Sequence, residues 1–305
     1  MAIPFIKDIE FEYGRTDQVS PLLRRVIANN PGPFTFVGTG VYIVGQGDVA
    51  VIDPGPMDQE HFEALKQALA GETVKCVLVT HGHSDHSPLA KPLAEWAGCQ
   101  VYAKDIGQPT AKGELGSEDD VGFRPDVHIN DGDLFTGPGW TLEAIETPGH
   151  TSSHLCFSLK EENACLTGDH IMGWSTTIVA PPDGNMSDYF RSLDKIQARN
   201  FETLWPTHGS PVEGEASVRE FVQAYRQHRQ DREDGVLAQL HAGVTSIPTM
   251  VEAMYVGLED RLIPAACLSL LGHMMKLIDE GKVATQDAQP TVRSTFQLAA
   301  VKRAS

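Results

Sequence analysis

Residues 78–88 read LVTHGHSDHSP, and no other stretch constrains the fold as tightly. His81, His83, Asp85 and His86 fall within six residues directly behind the apolar run VKCVLVT. That run is short and rich in valine, so it reads as a buried strand ending near Thr80. At the C-terminal end of a strand the chain direction is fixed and side chains converge on a crevice. An extended H-x-H places both imidazoles on one face, because strand side chains alternate, while Asp85 and His86 follow in the turn toward the next helix. Without a ligand, so many ionisable groups beside an apolar strand would cost on the order of several kcal/mol in desolvation and repulsion. The cluster therefore reads as metal-binding, and four donors so close together suit two ions better than one tetrahedral ion.

Further donors lie at matching places. His150 ends ETPGH, Asp169 ends CLTGD and His208 ends LWPTH, each behind an apolar strand and beside a glycine, the residue that lets backbone approach a crowded site. One ion is expected to take His81, His83 and His150. The other takes Asp85, His86 and His208, with Asp169 bridging both. Imidazoles with carboxylates and no thiolate suit two zinc ions, with manganese or iron as alternatives. His61, His128, His228, His241 and His273 read as surface or core residues, and His154 and His170 as neighbours of the site that are not ligands.

Around these motifs the pattern alternates. Residues 57–71 carry Phe62, Leu65 and Leu69 at helical spacing and close on Gly71; a second helix follows the cluster and QVYAKD is another strand. The polar stretch 107–120 reads as an exposed loop. From Trp140 strands and helices alternate again, so two similar halves are expected to pack sheet to sheet with helices outside, an α/β (αββα) sandwich over residues 1–218. Residues 219–287 run helix, helix, longer helix, glycine and strand, the order of a small winged-helix-like domain. Residues 288–305 read as a polar tail.

A length of 305 residues fits one large α/β unit with a small appendage. The net charge of −17 predicts a surface that repels nucleic acid, membranes and anionic substrates at long range, without forbidding a local positive site. Residues 219–282 hold seven Lys/Arg against nine Asp/Glu, so the C-terminal unit reads as a lid or interface rather than a groove reader. Within it, YRQHRQDR offers Arg226, Arg229 and Arg232 with His228, either a basic patch facing the site or a solvated helix face. Five cysteines with no CxxC pair read as buried free thiols in a reducing compartment. The opening MAIPFIKDIEFEYG has early acids and no signal-peptide core, and no apolar run approaches the ~18–20 residues of a membrane span. A cytoplasmic protein with no membrane partner is expected. Apolar positions in the C-terminal segment are expected to pack on the main domain or on a second copy in a homo-oligomer.

T-H-x-H-x-D-H behind a strand, followed in order by G-H, G-D and a late H-G, resembles the metallo-β-lactamase superfamily. VIDPGP resembles its strand-end D-x-G, which implies that Asp53 stands behind a ligand imidazole and accepts its other N–H. RVIANNPGPFTFVGTGVYIVG, PTHGSPVEG, YRQHRQDRE and the winged-helix-like end look like the beta-lactamase-like protein 2 family over residues 25–283. The resemblance implies a hydrolase domain with a winged helix beside the active-site mouth, and activities that include single-strand-directed RNA cleavage and thioester hydrolysis. One departure bears on substrate: Gly40 and Val41 stand where those sequences often have Asn-Thr.

A dinuclear site lowers the pKa of bound water toward ~7. The expected function is thus an intracellular metal-dependent hydrolase that uses metal-bound hydroxide, with Asp85 orienting the nucleophile or carrying its proton. No G-x-S-x-G occurs and no cysteine sits in the cluster, so no covalent intermediate is expected. The substrate is a single-stranded RNA phosphodiester or a small-molecule thioester or other acyl compound (glyoxalase II-like), with β-lactam hydrolysis and single-iron sulfur dioxygenation ranked lower. The stretch after Asp169 is the expected substrate lining, through Trp174, Ser175, Thr176, Thr177 and Tyr189.

Overall fold

The computed structural model describes residues 3–105 and 123–300; the expected loop at 107–120 lies outside them. The first sheet has seven strands in chain order: β1 (Thr16–Gln18), β2 (Leu23–Ile27), β3 (Gly40–Val44), β4 (Asp48–Ile52), β5 (Thr73–Leu78), β6 (Gln100–Ala103) and β7 (Val127–His128). Strands β1 to β4 pair antiparallel. From β4 to β7 the pairing is parallel, with α1 (Gln59–Ala68) and α2 (Ala90–Ala97) as crossovers. Asp58 starts α1 by accepting the His61 N–H at 2.7 Å. Gly98, at φ +72°, ends α2 in the left-handed conformation.

The second sheet runs β13 (Val212–Glu213), β12 (Thr203–Pro206), β11 (Ala164–Gly168), β10 (Leu155–Leu159), β9 (Trp140–Glu146), β8 (Leu134–Gly137). Only β11 and β12 are parallel, joined through α3 (Met186–Gln197).

Strand alternation builds the layers. Tyr42, Val44, Ala50, Ile52 and Leu78 face Leu142, Ala144, Leu155, Phe157 and Leu166 across the sheets. The residues between them, Val41, Ile43, Val49 and Val51, pack with Leu65 and Leu93 of the first helices. On the far side, Ile145, Cys156 and Cys165 pack with Tyr189, Leu193 and Phe221. Both faces of each sheet are covered, which is why strands such as β3 and β10 are buried at every position. The αββα sandwich expected from the alternation is present.

α4 (Glu215–His241) belongs to two cores. Its first half packs on the second sheet through Val218, Phe221, Val222 and Tyr225; Val236 and Leu240 join α5 (Ile247–Met254) and α6 (Ile263–Asp279) in a separate core. There β14 (Val283–Thr285) pairs with β15 (Phe296–Leu298). The polar tail expected after Ala288 therefore supplies a strand, anchored by the fully buried Phe296. Asp260–Asp279 does reach the length and mean hydropathy (1.4) of a membrane span, contrary to expectation, but 56% of that window is buried in the C-terminal core.

Candidate metal centre

One parallel strand pair from each sheet, β4/β5 and β11/β12, ends at the same edge of the sandwich. β4 and β5 deliver Asp53, Thr80 and the histidine turn; β11 and β12 deliver Asp169 and His208. Bonds between the sheets fix that edge: Leu155 N donates to Thr80 O (2.9 Å), Gly40 N to Thr207 O (2.8 Å) and Tyr42 OH to Pro206 O (2.7 Å). Two glycines are obligatory. A Cβ on Gly149 (φ +145°) would lie 2.5 Å from Tyr189 Cα, and one on Gly168 (φ +52°) 2.8 Å from His154 Nε2. Each immediately precedes a segment carrying a site residue.

Three groups of donor atoms converge, each within 4.8 Å: His81, His83 and His150; Asp85, His86 and His208; and His81, His86 and Asp169. In the first, His83 Nδ1 lies 2.9 Å from His81 Nε2 and 3.2 Å from His150 Nε2. A tetrahedron with metal–nitrogen bonds of ~2.0–2.1 Å has edges of roughly 3.3 Å, so these spacings fit one ion. In the second, Asp85 Oδ2 is 3.1 Å from His208 Nε2 and 3.5 Å from His86 Nε2. Asp169 stands between them, with Oδ1 3.4 Å from His208 Nε2 and Oδ2 3.8 Å from His150 Nε2. His86 Nε2, His208 Nε2 and Asp169 Oδ1 are buried without a hydrogen-bond partner among the described residues, the arrangement a cation would satisfy.

The tautomers follow from the partners. A carbonyl or carboxylate oxygen only accepts, so His150 Nδ1 donates to Ile178 O (2.6 Å), His208 Nδ1 to Gly38 O (3.1 Å) and His86 Nδ1 to Asp53 Oδ2 (2.9 Å). Thr80 spends its hydroxyl proton on Asp53 Oδ2 (2.8 Å), leaving its oxygen to accept from His81 Nδ1 at 3.0 Å. In all four imidazoles Nδ1 is therefore the nitrogen held by the protein, and Nε2 is the one that faces the site. Asp53, fully buried, also accepts from Thr80 N (2.7 Å) at Oδ1 and from Thr207 Oγ1 (3.2 Å) at Oδ2, so both of its oxygens are satisfied, by donors from both sheets.

Electrostatics favour a cation here. Burial, then His86 and His83, holds His81 well below the usual imidazole range, and burial followed by His150 pushes His83 down to about 3. Both are thus neutral, the form that ligates metal. Burial opposes charge on His86, but Asp85, Asp169 and Asp53 outweigh it and raise its pKa well above normal. His208 is raised likewise, burial yielding to Asp169 and Asp85. Burial opposes charge on Asp85 and Asp169 too, and His86 and His208 override it, keeping both ionised. The carboxylates thus draw positive charge to the place where the unpartnered nitrogens point.

Of the expected lining, Trp174, Ser175 and Thr176 are half-buried. Thr177 and Tyr189 are not at a mouth. Both are buried, with Thr177 Oγ1 bonded to Asp169 O (2.7 Å) and Tyr189 OH to His170 O (2.7 Å); they hold the chain beneath the site. His154 accepts the Asp169 N–H at Nε2 (3.2 Å), and the His170 ring packs on Tyr189. The Gly40 and Val41 departure falls inside β3, where a Cβ on Gly40 would meet Thr207 O at 3.0 Å.

Sequence reasoning missed Thr80, Thr207 and Phe36. The threonines had a signal: Thr-His-Gly occurs at both 80–82 and 207–209. Phe36, at φ +56°, stacks on Trp174 with centroids 4.8 Å apart and planes 15° from parallel. Trp174 in turn lies against Gly209, next to His208.

Residues 35–208 match the family described as Metallo-beta-lactamase superfamily, and residues 246–290 the Beta-lactamase associated winged helix domain. The chain is 30% identical over 303 residues to Lactamase-like protein adaB of Aspergillus niger, covering 92% of this chain and 87% of that protein. It is 31% identical over 241 residues to the Beta-lactamase-like protein 2 homolog of Caenorhabditis elegans, 76% of each chain. Atrochrysone carboxyl ACP thioesterase of Aspergillus fumigatus is 32% identical over 231 residues, 73% of this chain and 66% of that one. In fold the chain is similar to a Beta-lactamase domain protein from Burkholderia ambifaria, with a TM-score of 0.77, 20% identity and 96% of each chain covered. The chain belongs to the metallo-beta-lactamase superfamily of hydrolases and carries its associated winged helix domain.

Proposed function

We propose that this hydrolase holds two divalent ions, zinc first with manganese or iron as alternatives, and cleaves small-molecule thioesters. The observation that carries the reading is the pair of donor triads joined by Asp169, with the histidine tautomers already set. His81, His83 and His150 hold one ion; Asp85, His86 and His208 hold the other. When bound, the ions supply an activated water at neutral pH and take up charge from the substrate oxygen. Asp85, 25% exposed at its side chain, is the most open carboxylate of the set, and His86 and His208 keep it ionised to hold or pass on a proton. Trp174 and Phe36 offer an apolar face for the acyl part beside His208.

Three things favour an acyl substrate over RNA. A relative 32% identical is named a thioesterase, the chain carries a net charge of −17, and Arg226, Arg229 and Arg232 each already have a partner within the chain, Arg226 in an exposed pair with Asp194 and the other two on backbone carbonyls. A duplicate assay tests this: thiol release from acetyl and aromatic acyl thioesters, and cleavage of mixed-sequence single-stranded RNA, both with the zinc-loaded full chain and with His83→Ala. Thiol release lost by about 1,000-fold or more in the variant is expected, in line with loss of metal catalysis. RNA cleavage without thiol release would replace the acyl reading by a phosphodiester one.

A further inference from the structure

The basic run YRQHRQDR divides between faces: Arg226 is exposed, Arg232 is half-buried and Arg229 is buried. Arg226 pairs with Asp194 at 2.6 Å, and Arg232 donates to Met254 O (3.1 Å) at the end of α5. Arg229 is different. It is 2% exposed, pairs with no carboxylate among the described residues, and donates from Nη2 to Thr177 O. Its guanidinium lies over the Tyr189 ring, 5.1 Å from the centroid. Burying an unpaired cation is costly, and here it is spent on one backbone carbonyl, a bond made stronger by the charge.

That carbonyl belongs to the segment on which two site residues depend. Thr177 Oγ1 lies 2.7 Å from Asp169 O and 3.0 Å from His170 O. The next residue, Ile178, accepts the Nδ1 proton of His150. One turn earlier on α4, Tyr225 OH accepts from Met172 N (3.0 Å) and lies between Met172 O, at 2.7 Å, and Ser175 O. Tyr225 and Arg229 thus pin the 172–177 segment at both ends: the phenol accepts the Met172 N–H and offers its one proton to the Met172 or Ser175 carbonyl, and the guanidinium donates to the Thr177 carbonyl. Resting on the metal-centre reading, we propose that Arg229 and Tyr225 are positioning residues for the metal site: α4 sets the backbone that orients the His150 imidazole and the bridging Asp169. The same helix continues into the C-terminal core, so the winged helix domain is mechanically joined to the metal ligands by these two side chains.

The test measures zinc affinity of the full chain, by competition with a chromophoric chelator, for the parent protein, Arg229→Met, Arg229→Lys, Tyr225→Phe and, as control, Arg226→Gln. Melting of the metal-free proteins is recorded alongside. Arg229→Met and Tyr225→Phe are expected to bind zinc about 10-fold more weakly, the range seen when outer partners of ligands are removed. Arg229→Lys should restore part of the loss, and Arg226→Gln should match the parent. Tyr225→Phe keeps the ring and its packing, so it carries the test if Arg229→Met does not fold. Parent-like zinc affinity in both variants, with only the metal-free melting point lowered, would reduce the pair to a structural staple and overturn the proposal. A parent protein that binds no divalent ion would instead remove the metal-centre reading itself.

Discussion

Asp53 is the residue on which the site turns. It is fully buried, and it accepts from the His86 imidazole, two threonine hydroxyls and a backbone amide. Removing it strands those donors at about 1–3 kcal/mol each and frees the His86 imidazole to rotate or change tautomer. In Asp53→Ala we expect the ion held by Asp85, His86 and His208 to bind about 10- to 100-fold more weakly, while the His81, His83 and His150 group loses less. Zinc titration would show the stoichiometry falling from two toward one at limiting metal; two equivalents bound as tightly as in the parent would refute this role. Thr80 and Thr207 show what spacing can hide. Each precedes a histidine and each donates to the same carboxylate oxygen; the repeated Thr-His-Gly marks the pair, but nothing in it names Asp53 as their shared acceptor.

Among the elements, α4 departs furthest from its sequence. Its run YRQHRQDR reads as a basic patch or a solvated face, and Arg226 is indeed exposed, but Arg229 and Glu233 are buried, the latter meeting Lys276 at 3.0 Å and His273 at 3.3 Å on α6. Which side of a helix is wet depends on what packs against it, and periodicity alone does not reveal a partner as distant in sequence as α6. His228 on the same helix yields a pH prediction. Burial, then Arg229 and Arg232, pushes its imidazole down to about 3, whereas the unfolded chain titrates near ~6.5. Below that pH the unfolded state binds the proton and the folded state does not. The stability linked to His228 is therefore complete above about 6.5 and declines as pH falls toward 3. Melting temperature measured between pH 4 and 7 should fall less steeply for His228→Gln than for the parent; parallel curves would contradict the burial argument.

At the scale of the whole molecule, the donors come from both sheets, so a metal held there would tie together the two halves of the sandwich. A ligand present at a thousandfold over its dissociation constant adds about 4 kcal/mol to stability, roughly 10 °C of melting temperature for a domain of this size. Calorimetry with zinc and then with a chelator should show a drop of that order, reversed on adding the metal back. Coincident melts would argue against a site that spans the sheets.

The sequence by itself determined the sandwich and the convergence of His81, His83, Asp85, His86, His150, Asp169 and His208, because strand alternation has a period of two and ionisable groups beside apolar strands are too costly to be accidental. The order of helices announced the C-terminal unit, though not β15, a short strand in a polar stretch held by the single buried Phe296. Tertiary structure alone decided which nitrogen each histidine presents, since the acceptors are the Gly38 and Ile178 carbonyls and every residue has a carbonyl. It alone turned Thr177 and Tyr189 inward and brought Arg229 beneath the site, for a side chain's role depends on what lies across from it in space, and that is set by packing between segments far apart in the chain.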